Sequence, residues 1–159
     1  MKKGYIFAGF GGQGMLLIGK FLAMANMLDG KHVSWLPSYG PEMRGGTANC
    51  SVIVSDEEVA SPMIDKADVL IAMNLPSLDK FEHTVNPGGL IVVNSSIIDR
   101  KVQRDDVRVV YCDAAKIADE GSVSLDKMVE AIRIELGERK LRFLEGNKAA
   151  LVAGMDLSK

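Results

Sequence analysis

Three glycines at positions 9, 11 and 14 stand in the order G-x-G-x-x-G, between the apolar run Tyr5-Ile6-Phe7-Ala8 and the helix-forming stretch that starts at Met15. Strand, glycine turn and helix in that order make a place where a phosphate can sit. A helix N-terminus offers unpaired N–H groups and a partial positive charge, and glycine lets a ligand approach them closely. Gly11, Gly12, Gln13 and Gly14 are therefore candidate phosphate-contacting residues. A second constellation, Ser38-Tyr39-Gly40-Pro41-Glu42-Met43-Arg44-Gly45-Gly46-Thr47, gathers a phenol, hydroxyls, a carboxylate and a guanidinium on one glycine- and proline-rich loop. Arg44 has the planar donor fork that suits phosphate or carboxylate, although Glu42 or a neighbouring subunit could equally take it. Ser38, Tyr39, Arg44, Gly45, Gly46 and Thr47 join the candidate site on these grounds.

The elements that must position the two loops can be read from hydrophobic period and turn chemistry. Residues 4–8 read as a strand and about 12–28 as a helix, ended by Asp29-Gly30-Lys31 with Gly30 suited to the left-handed position. Residues 32–36 and 47–54 read as strands with no helix between them, so they pair antiparallel if the intervening loop reverses the chain. The continuous apolar run at 69–73 fits a strand buried on both faces. Asn74 and Pro76 then open a helix running to about Thr84, which Asn86-Pro87-Gly88-Gly89 stops. Strands follow at 90–94 and 107–111, and Leu125, Met128, Val129, Ile132 and Leu136 mark a C-terminal helical segment. The pattern predicts an α/β fold, a Rossmann-like and mostly parallel sheet flanked by helices, in a single domain over residues 1–159.

Composition narrows the function. With 47% hydrophobic residues, 25% charged residues and a net charge of −2, the chain has no electrostatic pull toward nucleic acid or an anionic membrane. No apolar run approaches the roughly 20 residues that span a bilayer, and Gly9 to Gly14 interrupt any signal-peptide core, so a cytoplasmic location is expected. Cys50 and Cys112 are too few and too far apart for a thiolate metal or cluster site, and neither His32 nor His83 has a partner at ligand spacing. No residue is assigned as a nucleophile. Nor does the glycine turn carry the usual nicotinamide partner: an NAD site needs an acid at the end of the second strand, and that end reads Trp35-Leu36-Pro37-Ser38. Besides Met1, six of the nine methionines, Met15, Met24, Met27, Met43, Met63 and Met73, fall in the first half, where flexible side chains serve as core filler or as a contact surface.

Taken together, the glycine turn and the 38–48 loop resemble the gamma subunit of the 2-oxoacid:ferredoxin (acceptor) oxidoreductases. The likeness continues through Ser61-Pro62 and 67–74 to Pro87-Gly88-Gly89. Within that family the chain looks most similar to the 2-oxoglutarate enzymes, with pyruvate, branched-chain and indolepyruvate versions as alternatives. The resemblance implies a complex that decarboxylates a 2-oxoacid on thiamine diphosphate and passes electrons through iron–sulfur clusters to ferredoxin, forming an acyl-CoA. It places thiamine diphosphate, Mg and the 4Fe-4S clusters in alpha, beta and in some cases delta subunits, leaving this chain non-catalytic and close to the CoA path. A CoA site would reconcile a phosphate-compatible turn with the missing ribose acid. Two other readings stay open: a free-standing nucleotide-binding module, and a purely structural subunit. The resemblance departs at Glu120 and Gly121, where relatives carry an additional helix. Either the chain is shortened there or residues are missing from the sequence at that junction, and we take the second reading.

Overall fold

A computed structural model of the chain describes residues 1–40, 46–114 and 116, nearly all of them within one compact unit, Met1–Ala115. The C-terminal helical pattern and the Glu120/Gly121 junction lie outside the described residues. Strand β1 (Lys2–Phe10) leads through the glycine turn into helix α1 (Met15–Leu28), then to strands β2 (His32–Tyr39) and β3 (Thr47–Ser55). Strand β4 (Ala67–Ala72), helix α2 (Leu75–Phe81), a 3-10 turn (Glu82–Thr84) and strands β5 (Val85–Asn94) and β6 (Arg108–Cys112) follow. The six strands form one sheet in the order β2-β3-β1-β4-β5-β6. Pairings β1·β4, β4·β5 and β5·β6 are parallel, while β3 runs antiparallel to both of its neighbours.

Alternation along β1 divides the core between the two faces of this sheet. Ile6 and Ala8 point to the side where Leu70, Ile91, Val93 and Leu78 of α2 pack. Phe7 points to the other, where Met15 and Ala23 of α1 meet Cys50, Val52 and Val54. The two helices thus leave the carboxyl edge toward opposite faces, as in doubly wound sheets. Gly19 permits the closest approach of α1 to the sheet, because a Cβ there would lie 2.3 Å from Cys50 Sγ. Asn74 caps α2 by accepting from Ser77 N at 2.9 Å, and Gly30 adopts φ 81° just past α1.

Several boundaries shift from the expected ones, α1 for instance starting at Met15 rather than about residue 12, and two of the shifts have a clear local reason. Strand β2 continues three residues past 36, through Pro37; it is an edge strand, where proline's missing N–H costs no ladder bond. Strand β5 begins at Val85, ahead of the expected stop. Ala67 pairs with Val85 and Val69 with Leu90, so Asn86-Pro87-Gly88-Gly89 forms an irregularity inside the strand. Gly88 sits at φ 76° within it and donates to Asp106 O.

Candidate functional site

The carboxyl ends of β1 and β2 and the start of β3 bring the two candidate loops side by side. In register, Phe10 faces Thr47 and Tyr39 faces Ala48. Gly11 N donates to Gly46 O at 2.9 Å, joining the glycine turn to the end of the second loop, and Gly40 N donates to Thr47 O at 2.8 Å. Gly12 and Gly14 have φ of 97° and 75°, a region that excludes most L side chains, and an added Cβ at either would meet nothing within 4 Å. Their requirement is therefore conformational, and it leaves open space above the turn.

That space is a cavity of about 450 Å³. Its floor is Gly11, Gly12 and Gly14 with Met15 at the start of α1, and no side chain among the described residues caps this helix. Trp35, Pro37 and Tyr39, alternate residues on one face of β2, form one wall with Ala48. Leu16, Leu17 and Lys20 of α1 form the other, with Lys20 the one charged residue of the lining among the described residues. An uncapped helix end supplies orphan N–H donors, and the aromatic wall supplies surface for a flat ring. The arrangement accommodates an anionic group at the turn and an apolar or aromatic group beyond it.

Other candidates lie elsewhere. Gln13 turns inward: its Oε1 accepts from Phe10 N at 2.6 Å and its Nε2 donates to Met73 O at 3.4 Å, bridging the ends of β1 and β4. Ser38 alternates with Pro37 and Tyr39 and is absent from the lining, pairing in register with Asn49. Thr47 is likewise absent from the lining, and its carbonyl is engaged with Gly40. Arg44 and Gly45 lie outside the described residues. Cys50 is fully buried, 3.4 Å from Met15 O, and burial pushes its thiol pKa up, as expected for a packing residue. Among the described residues no three His, Cys, Asp or Glu side chains converge to hold a metal ion, and no helix is long and apolar enough to cross a membrane. Trp35, Leu16 and Lys20 were not among the candidates read from sequence. The signals that find them are the i, i+2 alternation from Trp35 to Tyr39 and the i, i+4 step from Leu16 to Lys20.

Sheet and cavity together define an α/β domain with an anion-compatible glycine turn and no acidic residue in the cavity lining among the described residues. Residues 4–124 match the family described as pyruvate ferredoxin/flavodoxin oxidoreductase, and the chain belongs to that family. The ketoisovalerate oxidoreductase subunit VorA of Methanothermobacter thermautotrophicus is 54% identical over 89 residues, covering 56% of this chain and 19% of that one. The 2-oxoglutarate synthase subunit KorC of Methanocaldococcus jannaschii is 34% identical over 122 residues, 76% of this chain and 65% of that one. The chain thus spans about a fifth of the VorA relative and just under two thirds of the KorC relative. Among solved structures, the keto/oxoacid ferredoxin oxidoreductase gamma subunit from Geobacter sulfurreducens superposes with a TM-score of 0.63 at 27% identity, covering 98% of this chain and 95% of that chain.

Proposed function

We propose that this chain is the gamma subunit of a multi-subunit 2-oxoacid:ferredoxin oxidoreductase, a non-catalytic component in the cytoplasm that admits and holds CoA. Thiamine diphosphate, Mg and the 4Fe-4S clusters then belong to alpha, beta and delta-type partner subunits, which deliver electrons to ferredoxin. The observation that carries the CoA part is the cavity itself: a glycine floor at a helix end that no described side chain caps, an aromatic wall and Lys20. Pyrophosphate suits the floor, and adenine suits Trp35 and Tyr39. Arg44, on the same loop as Tyr39 and Gly46, would add a bidentate phosphate contact.

Titration calorimetry of CoA against the assembled complex tests this reading. Lys20→Ala and Arg44→Ala should each weaken binding at least about tenfold, since a hydrogen bond to a charged group contributes roughly 1.5–3 kcal/mol, and Tyr39→Ala by roughly two- to tenfold, since an aromatic stack contributes about 0.5–1.5 kcal/mol. Unchanged affinity in all three would remove CoA from this cavity. Association is tested separately, by co-expression with the thiamine-binding subunits from the same source.

A further inference from the structure

Helix α1 packs Met15, Gly19 and Ala23 against the sheet, and its opposite side is as apolar as its buried one. Leu17, Phe21, Met24 and Leu28, spaced i, i+4, i+7 and i+11, form a single outward stripe, with exposures of 54%, 59%, 44% and 54%. Ile18 and Met27 widen it on the two shoulders, and Lys20 is the helix's sole charged residue. All six are large apolar side chains between 44% and 59% exposed, which together make a patch on the scale of the largest on a typical monomer, several hundred Å², and a substantial part of the ~800 Å² that one partner contributes to a standard interface. A helix apolar all round is normally a buried helix.

We propose that this stripe is the docking surface for a second polypeptide of the same oxidoreductase, one that presents an uncharged aliphatic face; the proposal rests on the subunit reading above. The relatives indicate this occupant. The VorA subunit of Methanothermobacter thermautotrophicus matches this chain over 89 residues, yet the match makes up 19% of its length. There the same domain is tethered to a much larger remainder at high effective concentration. A face that meets such a remainder has no reason to be polar, and flexible Met24 and Met27 suit it. Leu17 and Lys20 border both the stripe and the cavity, so a polypeptide seated on α1 would form the cavity's missing rim.

The experiment is co-purification of the full chain with the thiamine-binding subunits from the same source, for wild type, Phe21→Glu and, independently, Met24→Lys. Wild type should co-purify stoichiometrically, and each variant should lose at least tenfold of the bound partner. The isolated variants should melt within about 3 °C of wild type, because the substituted positions face solvent there. Variants that co-purify in wild-type yield overturn the proposal. So does a wild-type homodimer that Phe21→Glu splits into monomers, since the occupant is then a second copy. A large loss of melting temperature in both isolated variants also overturns it, because the stripe is then covered within the chain. Wild type that fails to co-purify at all overturns the subunit reading and this inference with it, a result distinct from the other three.

Discussion

Gly19 and Cys50 set how closely α1 approaches the sheet, and a double-mutant cycle measures it. An alanine Cβ at position 19 would lie 2.3 Å from Cys50 Sγ and 3.4 Å from both Phe7 Cδ2 and Trp35 Nε1, so the helix or the sulfur must move. Overpacking of this kind costs about 1–3 kcal/mol, while replacing a mid-helix glycine by alanine returns about 1 kcal/mol of propensity. Gly19→Ala alone should therefore destabilise by roughly 0–2 kcal/mol. Cys50→Ala removes a fully buried sulfur and should cost about 1 kcal/mol. In the double variant the new methyl occupies the space the sulfur left, the clash vanishes and the propensity gain remains, so stability should return to within about 0.5 kcal/mol of wild type. Urea unfolding followed by the fluorescence of Trp35, the sole tryptophan, gives both stability and local environment. The native emission should shift in Gly19→Ala and revert in the double variant. Additive effects, within the roughly 0.3–0.5 kcal/mol expected of independent sites, would refute the close approach.

Two further predictions concern the turn and the opposite end of the sheet. Gln13→Ala loses bonds to Phe10 N and Met73 O, and should cost about 1–3 kcal/mol in urea unfolding because the amide N–H of a part-buried strand end is left without its acceptor; a change below about 0.5 kcal/mol would show that the bridge contributes nothing. At the far end, hydrogen bonding to the Lys31 ammonium and then to the Met1 amino group, each at 2.5 Å, lowers the Asp56 carboxyl to about 2. Its folded pKa lies below the unfolded value of about 3.9, so the pair stabilises fully above pH ~4 and is lost as pH falls through about 2. NMR titration of the Asp56 carboxyl checks this: Lys31→Ala should raise the midpoint, and a wild-type midpoint near 4 would sink the claim.

Much of this fold is legible in the sequence because its signals are local. The left-handed Gly30 after α1, the Asn74 cap before α2 and the apolar run of β4 each act within a few residues; Gly30 and Asn74 stand where expected, and the apolar run falls within β4 with its bounds shifted to Ala67–Ala72. Strand ends were less legible because they depend on neighbours. Whether Pro37 ends β2 depends on β2 being at the sheet edge, which no local pattern encodes. The site divides in the same way. Turn chemistry reveals Gly11, Gly12 and Gly14, whereas Ser38 and Gln13 are displaced by strand alternation and by a side-chain fold-back that only the assembled edge determines. Lys20 was invisible because a single lysine on a helix reads as solvated surface until β2 is placed opposite it.

Topology also explains why a dinucleotide fingerprint need not make a nicotinamide site. In doubly wound sheets the ligand crevice lies at the carboxyl edge where consecutive connections part to opposite faces, here between β1 and β4. The Gln13 side chain spans that crevice, from Phe10 N to Met73 O. Antiparallel β3 is inserted between β1 and β2, so the strand end that would carry a ribose acid is one strand further away, and it carries Pro37 and Tyr39 in place of an acid. The opening is thereby moved to the α1 face, between the glycine floor and the aromatic residues of β2. A cavity displaced in this way is bounded by α1 on one side, and α1 presents an apolar stripe outward. Ligand and partner would then meet along a single helix, its first turn facing the anion and its outer stripe facing the polypeptide that completes the pocket.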